Sequence, residues 1–196
     1  MRFPARKTIF TPTLVLAVLA SACGAQTNRA YSTSPLTEEQ LGVYRGFLNK
    51  FSALQIRNLS RITLPLDFNG FPEGRPCLTG IELENPAEAL KTAHAFGPEI
   101  TSGRALNLVD PVEQTKLLKQ RDTISANQQT RAAQSGNDLN FLVFSEIAFD
   151  TKHKFAVVKY LLVCGEHCDS GATLVMEKID GRWTTSSRRP CATFVN

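Results

Sequence analysis

An α+β domain is what this 196-residue chain predicts, with helices in its first half packed on a C-terminal four-stranded antiparallel meander. Two observations carry the prediction. Capped segments of helical periodicity end near residue 120, and from Leu139 onward the texture changes to apolar runs separated by turn formers. A share of 42% hydrophobic and 20% charged side chains is enough for a core, so wholesale disorder is excluded.

The first 22 residues read as a targeting segment. Arg2, Arg6 and Lys7 form a positive region, Thr13 to Leu19 an apolar one, and Ala20-Ser21-Ala22 a small-x-small cleavage pattern. The apolar run is too short to span a bilayer of roughly 30 Å. Cleavage is expected after residue 22 or residue 25. Cys23 follows directly and is a lipidation candidate, although Ala20 stands where a lipoprotein box usually has leucine. Ordinary secretion and lipidation both fit. The expected location is therefore exported: periplasmic, anchored at the outer membrane, or extracellular. The formal charge of +4 falls to +1 once Arg2, Arg6 and Lys7 are removed, since nothing in residues 1–25 is acidic. No field remains that would gather nucleic acid, and membrane contact is expected only through a lipid on Cys23.

Residues 23–36 read as a tether, and residues 37–196 as a single domain. Thr37-Glu38-Glu39-Gln40 is a capping box, and Leu41, Tyr44, Phe47, Leu48, Phe51 and Leu54 follow at helical spacing, predicting a helix over 38–56. Ile62 to Phe68 alternates like a strand but carries Pro65, which implies an edge or irregular extended piece. Residues 69–76 are dense in turn formers. Asn85-Pro86-Ala87-Glu88 opens a second helix, stopped by Gly97-Pro98, and Asp110-Pro111-Val112-Glu113 opens a third that runs to about Gln120. Residues 122–138 hold almost no large apolar side chains and read either as an exposed helix or as a surface segment.

Strands are concentrated in 139–188. Leu139–Phe149, Lys154–Cys164, Gly171–Ile179 and Arg182 to about Ser187 are the four, and Asp180-Gly181 is a two-residue hairpin turn. The second strand is apolar at nearly every position, as a central strand should be.

Phe144-Ser145-Glu146-Ile147-Ala148-Phe149-Asp150, then Cys164-Gly165-Glu166-His167-Cys168, then Gly171-Ala172-Thr173-Leu174-Val175 with Glu177-Lys178 and Gly181-Arg182-Trp183, resembles a set of bacterial exported proteins of uncharacterised activity. Those proteins commonly have glycine where this chain has Asp169, and Gly-Gly-Trp where it has Ala192-Thr193-Phe194. The resemblance covers roughly residues 139–191 well and implies export, but no activity. The strand-Asp-Gly-x-Trp ending also resembles the sheets of cystatin-like and NTF2-like folds, which host binding modules and enzymes alike.

Without Cys23 four cysteines remain: Cys77, Cys164, Cys168 and Cys191. Two disulfides are the expectation in an oxidising compartment. Cys164 with Cys168 would pin a turn, leaving Cys77 with Cys191, a long loop worth about 4–5 kcal/mol in the chain-entropy model. Cys168 with Cys191 is the rival pairing. A zinc site from Cys164, His167 and Cys168 lacks a matching distant pair, and a redox pair favours C-x2-C at a helix N-terminus over this C-x3-C.

Catalytic signatures are thin. No nucleophile elbow, phosphate-binding loop, H-E-x-x-H or EF-hand loop occurs, so no catalytic residue, metal or cofactor is assigned. His94 falls in the second helix; Asp150 and His153 fit turn chemistry. Glu146, in an otherwise apolar strand, is the one acid worth following: a half-buried carboxylate suits acid chemistry, a solvated one does not. Lys178, Arg182, Arg188 and Arg189 with Trp183 interleaved form a candidate basic-aromatic surface on the last hairpin, or else a solvated edge that discourages aggregation. The sequence therefore favours a non-enzymatic binding or structural module of the cell envelope, with a secreted hydrolase-type enzyme using Glu146 as the alternative. The two separate on whether Glu146 and a histidine or second acid converge in a pocket.

Overall fold

A computed structural model describes residues 34–50, 56–68, 75–84, 86–89, 91–123, 140–163 and 169–195. The chain is built mostly of strands, which corrects the expected fold class. In place of helices packed on a four-stranded antiparallel meander, the described residues form one curled, mixed, eight-stranded sheet accompanied by three α-helices. The strands are β1 (Asn58–Ser60), β2 (Asn107–Val109), β3 (Phe141–Phe144), β4 (Ala148–Phe149), β5 (Phe155–Val163), β6 (Ser170–Ile179), β7 (Arg182–Thr185) and β8 (Ala192–Val195). The helices are α1 (Glu38–Lys50), α2 (Pro86–Ala89) and α3 (Pro111–Thr123). The sheet runs β2-β1-β3-β5-β6-β7, with β4 also on β5 and β8 also on β6.

The physical reason for the difference lies in β1 and β2. Each has three residues, with Asn58, Ser60 and Asn107 among them, so neither shows the alternation that marks a strand. They pair in parallel, β1 with β2 and β1 with β3, and such pairing needs long crossovers that no turn motif announces. Where a turn does announce pairing, the register follows it. Asp180 and Gly181 both take positive φ, 48° and 75°, and place Ile179 opposite Arg182.

α1 opens on its capping box: the Thr37 amide donates to Gln40 Oε1 at 2.8 Å, and the Gln40 amide donates to Thr37 Oγ1 at 3.2 Å. Its Tyr44 and Phe47 rings interleave with Phe96 and Phe144 at centroid distances near 5 Å, edge-on or tilted. Ala156 and Val158 of β5, and Leu174 and Met176 of β6, join this cluster. The intervening residues point to the opposite face, Val157 towards Leu66 and Ala89, Val175 towards Cys77 and Cys191. β5 is apolar at nearly every position but Lys159 because both of its faces are covered.

Asp110 caps α3 by accepting the Val112 and Glu113 amides on Oδ1, each at 2.9 Å. α2 has four residues, shorter than the helix expected up to Gly97. Residues 93–96 instead lie extended beside 61–63: Thr63 N donates to His94 O at 2.9 Å, and Phe96 N to Arg61 O at 2.7 Å. Tertiary backbone pairing has overridden the local helix signal. Cys77 is bonded to Cys191, with Cα atoms 5.1 Å apart across 114 residues of chain. Residues 1–33, with Cys23 and the expected targeting segment, lie outside the described residues, as do Cys164, His167, Cys168 and most of 122–138. No described helix is long and apolar enough to cross a membrane.

Candidate functional site

The first strand expected after Leu139 is present as two pieces, β3 and β4, and the break between them makes the site. Both pieces pair with β5, but three residues lie between Phe144 and Ala148 while only two lie between their partners, Tyr160 and Val157. One extra residue has been accommodated, which defines a β-bulge at Ser145-Glu146-Ile147. The bulge frees Glu146 from the ladder. Its amide donates sideways to Leu64 O at 2.6 Å, and Leu64 forms a parallel bridge to Ser145.

Glu146 is buried, its side chain 3% exposed, which settles its environment against the solvated face. Its carboxylate has three partners. Oε1 accepts the Thr63 hydroxyl and the His94 amide, the latter at 2.9 Å; Oε2 meets His94 Nδ1 at 2.9 Å. The His94 amide is shared with Thr63 Oγ1 at 2.7 Å. Thr63, at 1% exposure, thus clamps both members of the pair. A carboxylate at Nδ1 holds the ring proton there and leaves the Nε2 lone pair for the other side of the ring. That nitrogen has no hydrogen-bond partner among the described residues.

His94 and Glu146 line a cleft of about 230 Å³. Glu84, Glu88, Gln40 and Thr92 add polar walls, and Ile147 and Phe149 apolar ones. Gln40 accepts from Thr37 on its carbonyl oxygen, so its amide N–H groups remain for the cleft. Behind the bulge, Tyr44 donates its phenol proton to Ser145 O at 2.8 Å. Burial, and then the charge of Glu146, push that phenol well above its ordinary range.

A second histidine contacts two of the lining residues, Glu84 and Phe149. His153, at φ 51° in the turn after β4, places Nδ1 2.7 Å from Glu39 Oε2 and Nε2 3.1 Å from Glu84 Oε2. Its hydrogen bonds to Glu39 and then Glu84 raise its pKa above the ordinary 6.5. Burial works to raise Glu39, yet hydrogen bonds from Lys178 and His153 bring it below its ordinary value. Asp150 serves the turn itself, accepting the Lys154 and Phe155 amides on Oδ1.

The other sequence candidates are dispersed. Trp183 is buried beneath α1, Lys178 Nζ is 2.8 Å from Glu39 Oε1, and Arg188 donates to the carbonyls of Cys77 and Thr79. Arg182 and Arg189 alone of that group are exposed. Ser145 Oγ is engaged with backbone, donating to Glu146 O and accepting Lys159 N, so it is not placed as a nucleophile. Sequence reasoning singled out Glu146 but missed Thr63, and it put His94 on a helix. No group of three or more His, Cys, Asp or Glu side chains is disposed to hold a metal among the described residues. Comparisons with family models, curated proteins and solved structures find no match to this chain.

Proposed function

We propose that the chain is an exported, disulfide-bearing hydrolase of the water-activating kind, with His94 as general base and Glu146 as its positioning partner. The observation that carries this reading is the convergence of a buried carboxylate, an oriented imidazole and further acids on one cleft. An envelope binding module would present an exposed apolar or basic-aromatic surface without convergent titratable groups; of the basic-aromatic residues of the last hairpin, Trp183 is instead buried and Lys178 and Arg188 are paired, leaving Arg182 and Arg189 exposed without an aromatic between them. The Cys77–Cys191 bond supports export, since such bonds persist in oxidising compartments.

In this reading His94 Nε2 removes a proton from water as the water attacks a carbonyl-type carbon. The imidazolium that forms is stabilised by Glu146 behind it. The Gln40 amide N–H groups are the donors in the same walls for the oxygen that gains charge.

The test is hydrolysis of 4-nitrophenyl acetate by the full chain with its disulfide formed. Loss of a positioned base costs about 10²–10⁴-fold, so His94→Ala should fall at least about 100-fold. Glu146→Gln should fall as well while remaining folded. A wild-type rate equal to that of His94→Ala would overturn the proposal.

A further inference from the structure

We propose that His153 is a proton-operated latch on the mouth of the His94–Glu146 cleft, closed when its ring carries two protons and released when it carries one. The inference rests on the reading of that cleft as the working site, and it adds how the site is regulated. Both ring nitrogens face carboxylates from different parts of the chain, Glu39 of α1 and Glu84 of the segment before α2. Only an imidazolium can donate to both. A neutral ring has a single N–H, and its other nitrogen would turn a lone pair on a carboxylate.

The two acids are not equivalent. Glu39 keeps a second partner, Lys178 of β6, at 2.8 Å. Glu84 has no other side-chain partner, so loss of the proton frees Glu84. Glu84 lines the cleft, and so does Phe149, on which the His153 ring stacks at 5.0 Å and an interplanar angle of 2°.

The scaffold of the latch does not move with the proton. Asp150 holds the turn by accepting the Lys152, Lys154 and Phe155 amides, and Thr151 N donates to Glu82 O at 3.0 Å. Leu83 pairs with Asp150, which keeps the Glu84 backbone in place. The charged groups facing His153 are thus Glu39 from α1, Glu84 from its own segment, Lys178 from β6 by way of Glu39, and Asp150, Lys152 and Lys154 within the turn. Lys154 is drawn off towards Glu177, at 3.7 Å. The balance is two carboxylates in direct contact, which favours the charged ring; release therefore falls above the ordinary histidine range.

The experiment is an NMR titration of the full chain from about pH 5 to about pH 9, the span in which histidine titrates. His153 should show a midpoint above 6.5. The Thr92 and Ile147 amides, which line the cleft without bonding that ring, should shift with the same midpoint. Glu84→Gln should lower the His153 midpoint. His153→Asn, whose residue tolerates left-handed backbone, should remove the response at Thr92 and Ile147 while the protein stays folded. A response that persists in His153→Asn, or a His153 midpoint at or below 6.5, would overturn the latch. None of these signals depends on turnover, so failure of ester hydrolysis would count against His94 alone.

Discussion

Ser145 accepts the Lys159 amide on its side-chain oxygen, at 2.8 Å, and donates its own hydroxyl to Glu146 O at 2.7 Å. Its carbonyl is thereby left for the Tyr44 phenol. A side chain has replaced backbone in the β5 ladder, and this substitution lets the strand carry an extra residue at Glu146 without orphaning a buried N–H.

Ser145→Ala should therefore cost far more than a hydroxyl usually does. It strands the Lys159 amide and the Glu146 carbonyl, and one buried unsatisfied group costs about 1–3 kcal/mol. The urea midpoint should fall at unchanged slope. A change within about 0.5 kcal/mol, the range of ordinary surface substitutions, would show that the hydroxyl does not carry the bulge.

Gly46 allows α1 to touch the backbone of Trp183. A Cβ built there would intrude on the Trp183 carbonyl oxygen and carbon, neither of which can rotate away. Gly46→Ala should lower the melting temperature even though alanine gains about 1 kcal/mol in a helix interior. Gly42→Ala meets only the Trp183 side chain, Cδ1 at 3.0 Å and Nε1 at 3.6 Å, and should lose less. Equal melting of the two variants would remove the close approach.

The Glu39–His153 pair gives stability a bounded pH window. Glu39 is lowered from 4.5, so its contribution is present above that value and lost as pH falls through the lowered pKa. His153 is raised from 6.5, so its contribution is complete below that value and lost as pH rises through the raised pKa. The stability difference between wild type and His153→Asn should be greatest between 4.5 and 6.5 and shrink on both sides. Exposed pairs are worth under about 1 kcal/mol, so urea midpoints rather than melting temperatures should be compared. A difference that does not vary with pH would deny the pair any role in stability.

What was legible in the sequence was local chemistry. Thr37 with Gln40, Asp110 at its cap and Asp180-Gly181 at its turn each declare themselves within four residues, and each forms the expected motif. Glu146 was conspicuous as an acid among apolar neighbours. Its partner was not, because Asn85-Pro86 and Gly97-Pro98 bracket a credible helix, and what ends α2 at Ala89 is backbone pairing with residues some thirty positions earlier. The bulge was equally hidden: Leu139 to Phe149 reads as one strand until the register on β5 counts the extra residue. β1 and β2 left no period to read, so the sheet was expected at half its width.

The parallel seat of β1 between β2 and β3 sets an order of assembly. The hairpins through β5, β6 and β7 join near neighbours in sequence, whereas Asn58 must find both Asn107 and Phe141. Loop-closure entropy makes such distant pairings late events. Thr63 and His94 belong to the segments that follow β1 and lie between it and β2, while Glu146 belongs to the half that forms early. The carboxylate thus waits in its bulge for the imidazole.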